Sequence, residues 1–137
     1  MRTITLGRTG ITVPQNAFGA LPIQRISKED AAKLLQCAYE GGMRFFDTAR
    51  AYSDSEEKIG YAFGREGGIF KSGSVFIFIA SKTHAQTPQE FQKDLETSLR
   101  MLNCGYIDVY QFHQMDTCWK PGDGTGMYEC MLEAKAQ

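Results

Sequence analysis

The sequence predicts an α/β fold in which a small β-hairpin is followed by four βα units in series. Three observations carry that prediction. Apolar runs of strand length alternate with longer segments of helical periodicity. Strand runs centred near Phe45, Ile77 and Val109 fall about 32 residues apart, a spacing of βα units and not of a sequence repeat. The run Val75 to Ala80 is apolar on both faces, as strands are when helices cover a parallel sheet. The 137 residues form one domain, 1–137, large enough to bury about two thirds of the surface its unfolded chain exposes.

Each element has its own signal. Ile4 and Leu6, then Ile11 and Val13, flank the turn Gly7-Arg8-Thr9-Gly10 and predict the hairpin, a plug or cap. Ala17 to Leu21, bounded by Asn16 and Pro22, reads as the first buried strand. Ser27, with Asp30 three residues on, resembles a capping box, and Ala31, Leu34, Leu35 and Ala38 give the packed face of the helix it opens; Lys28, Lys33 and Glu40 face water. Gly41-Gly42 stops that helix. Met43 to Asp47 is the second strand, followed by a loop and a short helix carrying Ile59, Ala62 and Phe63. After the third strand, Thr87-Pro88-Gln89-Glu90 combines an N-cap, a first-turn proline and an acid, leading into a helix with Phe91, Leu95, Leu99 and Leu102 inward. Gly105 closes it. Tyr106 to His113 is the fourth strand, and Met127 to Gln137 opens a fourth helix on Met127, Met131 and Ala134.

Right-handed βαβ units in series either wind into an open sheet or close into an eight-unit barrel. Four units cannot close a barrel, and Ala134 to Gln137 stops in mid-helical pattern without a glycine cap, so further units are expected beyond it. In the absence of those units the sheet would present two open edges, with VFIFIA as an aggregation segment and self-association through the edges as a consequence.

Composition narrows the function classes. Fifteen basic and sixteen acidic side chains give a formal charge of -1, with no basic stretch interleaved by aromatics, which argues against a nucleic-acid or anionic-membrane surface. No apolar run approaches the ~20 residues a membrane span needs, and the opening MRTITLGRTG has no signal-peptide core, so the expected address is the cytoplasm. Cys37, Cys104, Cys118 and Cys130 form no C-x-x-C pair, so no zinc knuckle or iron-sulfur cluster is written, and free thiols, mostly packed as small hydrophobes, are expected.

The chemistry-bearing segment runs from Gly41 to Gly60, GGMRFFDTARAYSDSEEKIG. A strand delivers Asp47 at its carboxyl end, and the loop that follows brings Tyr52 back beside it. Gly42, Arg44, Asp47-Thr48-Ala49, Tyr52, Ser55-Glu56 and Ile59-Gly60 together match the first signature of the aldo/keto reductase family, which the chain resembles. The opening TLGRTGITVPQNAFGALPI and the strand ends IASKT and YIDVYQFH are also similar to this family, so the resemblance covers essentially the whole chain.

The resemblance implies the N-terminal half of a (β/α)8 TIM barrel and an NADP-dependent enzyme that reduces the carbonyl of a small aldehyde or ketone substrate. It places a catalytic group on Asp47, Tyr52, Lys82 and His113, each with the family's side chain at a strand end or in the loop after one. Hydride passes from the nicotinamide to the carbonyl carbon while a phenol protonates the oxygen. Lys82 favours the phenolate, Asp47 holds that lysine, and His113 orients the carbonyl or helps relay the proton. Singly, each side chain has an ordinary structural explanation: a helix-capping acid, a loop aromatic, a solvated charge, a satisfied histidine. Their joint placement in successive units favours a site.

Gly19 and Ala20 correspond to where the family's backbone approaches NADPH, with Asp47 beside them; most other cofactor contacts of the family come from the fifth to eighth units. The opening and PGDGTGMYE resemble the branch whose members often carry a C-terminal ferredoxin-like domain. Gly64 to Ala80 is longer than the resemblance implies, which leaves open a displacement of Lys82. Secondary candidates are His84 near the site, Trp119 above the last strand, and Pro121 to Gly126, whose Asp123 would repel a phosphate and whose Thr125 could cap the next helix. No metal site is expected, since the strand ends offer no cluster of ligands. The alternative in a different class is a non-catalytic half-barrel serving as a binding or assembly module.

Overall fold

Thr3–Thr5 (β1) and Thr12–Pro14 (β2) pair antiparallel with Ile4 opposite Val13, in a computed structural model that describes residues 2–64 and 76–137. The turn between them is possible because Gly7 and Gly10 take φ values of 52° and 77°, a region glycine enters without steric cost.

Phe18–Gly19 (β3), Phe45–Asp47 (β4), Phe78–Thr83 (β5) and Val109–Phe112 (β6) form one parallel sheet in the order β3-β4-β5-β6. The helices α1 (Lys28–Glu40), α2 (Ser55–Phe63), α3 (Pro88–Leu102) and α4 (Met127–Ala136) each follow one strand, in the serial βα arrangement of part of a (β/α)8 barrel. Sequential parallel pairing sends every strand the same way, so the loops after β3, β4, β5 and β6 gather at one end.

The caps form as the sequence predicts. Ser27 Oγ accepts from the Asp30 amide at 3.1 Å, and Thr87 Oγ1 from the Glu90 amide at 3.2 Å. Each satisfies one amide left orphaned by the first helical turn. The Ser27 cap and the Lys33 ammonium hold the Asp30 carboxyl below its ordinary range. A 3-10 turn at Pro22–Arg25, absent from the sequence reading, buries Ile23 against the main core. That core joins Ala31, Leu35, Phe46, Ile59 and Leu102 between the sheet and α1 to α3; a smaller cluster gathers Phe91 and Met127 under α3 and α4.

Several expectations are corrected. Leu34 is 45% exposed, because the buried stripe of α1 runs through Ala31, Ala32 and Leu35 and leaves Leu34 about 100° off its centre. The third strand begins at Phe78 and continues to Thr83, not from 75 to 80; Val75 lies outside the described residues, and Phe76 is exposed. Of VFIFIA, Phe78, Ile79 and Ala80 pair with β4 and Ala80 also pairs with β6, and the edges of the described sheet are β3 and β6. The thiols are free, but Cys37 and Cys118 are exposed, where packing as small hydrophobes was expected. Gly126, not Thr125, occupies the cap position of α4, although the Met127 amide still donates to Thr125 Oγ1 at 3.2 Å.

One glycine of the signature segment is required by packing. A Cβ at Gly60 would overlap the carbonyl oxygen of Met101 and stand 3.0 Å from the carbonyl carbon of Leu102. The obstacle is backbone at the end of α3 and cannot swing aside. Gly60→Ala is therefore expected to destabilise the chain by about 3 kcal/mol, the upper part of the usual overpacking range, read as a lower urea midpoint. Gly19→Ala, where a Cβ meets no heavy atom within 4 Å, is the matched control.

Candidate active site

Asp47 ends β4 and stands opposite Ala80, which places Lys82 two residues further along β5 toward the same end of the sheet. Both Asp47 carboxylate oxygens accept from Lys82 Nζ, at 2.8 and 2.7 Å, and the Thr48 carbonyl accepts from it at 2.7 Å. All three ammonium donors are thereby used. Lys82 keeps its place despite the long segment before β5.

The loop after β4 brings in Tyr52. Its amide donates to the Ala49 carbonyl at 3.0 Å, its carbonyl accepts from the Ser55 amide at 2.8 Å, and Ser53 next to it takes a left-handed φ of 39°. A non-glycine residue in that region is strained by about 1 kcal/mol or more and persists where its surroundings fix it. They do so here through buried polar bonds. Ser55 Oγ donates to the Ala20 carbonyl at 2.8 Å and meets Thr48 Oγ1 at 2.9 Å. Glu56, fully buried, accepts from Ser81 Oγ at 2.6 Å and pairs with Arg50 of the same loop. The Arg50 amide also donates to the Lys82 carbonyl at 2.9 Å.

The Arg50-Glu56-Ser81 network was not assigned from the sequence. Its signal was available: Ser55 and Glu56 precede Ile59 by four and three residues and so share its buried helix face, where a carboxylate must find partners.

With the loop so tethered, Lys82 Nζ lies 5.4 Å from the centroid of the Tyr52 ring, within cation–π range. His113 follows β6, its amide donating to the Thr83 carbonyl at 2.8 Å. Its ring meets that of Tyr52 edge-on, centroids 5.6 Å apart at 79°. The four expected residues therefore come together at one end of the sheet. Burial lowers the His113 pKa from its ordinary value, and the charges of His84 and Lys82 press the same way against the opposing pull of Asp47. The ring is neutral at neutral pH.

The remaining candidates divide. Gly19, opposite Asp47 in register, leaves open space where a Cβ would stand. Ala20 is fully buried; its amide donates to the Asp47 carbonyl at 2.8 Å and its carbonyl takes the Ser55 hydroxyl, so it contributes by fixing Gly19 and Asp47 and offers no free polar group of its own. Trp119 packs edge-on against Phe112, 6.3 Å between centroids, as a loop anchor. In the loop before α4, Asp123 accepts from the amides of Lys120 and Thr125, both at 2.9 Å, and the Gly122 amide donates to Glu129 at 2.8 Å. Those amides serve carboxylates, and the Thr125 hydroxyl and both amides hold Asp123 below the usual carboxyl range. An apolar groove of about 450 Å³ between α3 and α4 lies at the amino end of β6, away from the site. Among the described residues no group of three or more His, Cys, Asp or Glu could hold a metal ion, and no helix is long and apolar enough to cross a membrane.

The parallel βα sheet carries a lysine-carboxylate pair, a tyrosine and a histidine at its carboxyl end, the end at which βα-barrels generally build their sites. The aldo/keto reductase family profile matches residues 12–135, and the chain belongs to that family. It is 30% identical over 149 aligned positions to an aryl-alcohol dehydrogenase [NADP(+)] of Phanerodontia chrysosporium, covering 96% of this chain and 38% of that protein. It is 32% identical to aldo-keto reductase family 1 member C4 of Homo sapiens, covering 83% of this chain and 35% of the other. The crystal structure of a thermostable aldo-keto reductase with the inhibitor epalrestat superposes with a TM-score of 0.80 at 27% identity, covering 100% of this chain and 50% of that one. The chain thus spans between a third and two fifths of these curated relatives and half of the solved one.

Proposed function

We propose that the chain supplies the proton-delivering part of an NADP-dependent oxidoreductase that reduces aldehyde or ketone carbonyls to alcohols, with Tyr52 as proton donor. The observation that carries this reading is the Asp47–Lys82 pair set beside the Tyr52 ring. Lys82 is held by both Asp47 oxygens and the Thr48 carbonyl beside the Tyr52 ring, where its charge can stabilise the negative charge that develops as the phenol passes its proton to the substrate oxygen. Asp47 fixes that charge in place through two charge-assisted bonds. His113, neutral and edge-on to Tyr52, can donate a hydrogen bond to the same carbonyl oxygen and aim it at the phenol.

NADPH, when bound, supplies the hydride. Gly19, with room for a close backbone approach, and Asp47 beside it are the residues of this chain that would hold the nicotinamide end. The name of the fungal relative, an NADP(+) dehydrogenase, supports this choice of cofactor.

The test is a fluorescence titration with NADPH and NADH on protein carrying this chain, together with aldehyde-dependent loss of NADPH absorbance. NADPH quenching is expected. Lys82→Met should retain it while turnover falls by about a hundredfold, the usual loss for removing one polarising group. Turnover unaffected by Lys82→Met would overturn the assignment.

A further inference from the structure

His113 is held in an unusual way for a residue that must aim a proton. Its Nδ1 is buried without a hydrogen-bond partner among the described residues, so the usual anchor of ring rotation and tautomer, an acceptor on that nitrogen, is not made there. What does touch it is another histidine. The His84 ring stacks on the His113 ring with centroids 4.3 Å apart and planes at 22°. The opposite constraint is Tyr52, edge-on at 79°. His84 follows β5 by one residue and is exposed, with its carbonyl bonded to the Gln86 side chain at 3.1 Å. It reaches the site through its ring alone.

We propose that His84 is the positioning residue for His113: its stacked ring holds the His113 imidazole edge-on to Tyr52, in place of the acceptor that its Nδ1 lacks among the described residues. This rests on the reading of Tyr52 and His113 as the proton-handling pair. The stack carries an electrostatic consequence, because protonating one ring opposes protonation of the other. The groups facing His113 are Lys82 from β5, Asp47 from β4, Tyr52 from the loop after β4 and His84 from the loop after β5. Lys82 and His84 disfavour the imidazolium, while Asp47 favours it.

The chain contains only two histidines, so imidazole NMR resolves both without ambiguity. His84→Phe keeps a stacking ring and removes the charge, whereas His84→Ala removes both. In His84→Phe, His113 is expected to titrate at a higher pH than in the parent chain, with one sharp set of ring signals. In His84→Ala its midpoint should rise further, and its ring signals should broaden or lose the shift imposed by the Tyr52 ring. In turnover, His84→Phe should keep kcat and move the acidic limb of the pH profile upward, while His84→Ala lowers kcat at an unchanged KM for NADPH. An amide spectrum matching the parent away from the loop confirms that each variant folds. If neither the His113 midpoint nor its ring shifts move in either variant, the positioning role is overturned. That result with Tyr52-dependent turnover intact would remove this inference alone, whereas NMR coupling without any Tyr52-dependent turnover would remove the catalytic reading and leave the ring contact standing.

Discussion

Tyr52→Phe is expected to lower carbonyl reduction by a hundredfold to about ten-thousandfold, the range a positioned general acid contributes, while NADPH binding stays within experimental error of the parent. The substitution removes only the phenolic oxygen. The ring that Lys82 approaches at 5.4 Å and that His113 meets edge-on remains, so neither neighbour loses its packing. The loop holding residue 52 depends on its backbone bonds to Ala49 and Ser55 and on the Arg50–Glu56 pair, none of which involves the hydroxyl. A loss of rate without loss of cofactor binding or of urea stability therefore reports the proton-transfer step. The measurement is single-turnover oxidation of NADPH with a saturating aldehyde. Parent-like turnover would assign the proton to His113 or to water and remove Tyr52 from the mechanism.

Glu56→Ala is expected to be the most destabilising single change in the signature segment, by about 3 to 5 kcal/mol. Glu56 is a carboxylate with 1% exposure, held by the Ser81 hydroxyl and by Arg50, whose own side chain is 25% exposed. Truncation leaves Arg50 without its counter-ion and a Ser81 hydroxyl unsatisfied in the interior. It also releases the tether between the Tyr52 loop and the strand carrying Lys82. The contrast is its neighbour. Glu57 is half exposed and pairs with Lys28 at 3.3 Å on the surface, so Glu57→Ala should change stability by no more than about 1 kcal/mol. Urea denaturation of both variants checks the difference, and equal midpoints would mean that the buried network contributes nothing. Since the network positions the loop, Glu56→Ala should also lower kcat more than it raises the KM for NADPH.

Much of this molecule is legible before folding because its signals are local. Ser27 and Thr87 cap the helices they precede, Gly7 and Gly10 make the hairpin turn, and the two-face apolarity of the third strand run marks it as interior to a parallel sheet. Asp47 and Tyr52 were identifiable as candidates from the segment Gly41 to Gly60, and Lys82 and His113 from the family resemblance at the ends of the next two strands. Leu34 and the bounds of the third strand are not legible in this way, because periodicity gives a helix face only to within about one residue's rotation and a strand's bounds depend on where its neighbours pair with it.

The sequence by itself determined the serial βα order and the helix starts, which follow from interactions within a few positions along the chain, while the candidate site residues came from its resemblance to a family. Only the tertiary structure decided how those residues meet. The parallel register of β4 on β5 brings Asp47 to Lys82 across 35 positions, and two successive loops lay His84 on His113. The buried Glu56 finds Ser81 25 positions away, a pairing no local pattern encodes. The reason is physical: distances between strand ends are set by sheet register and burial, and these depend on the packing of the whole chain.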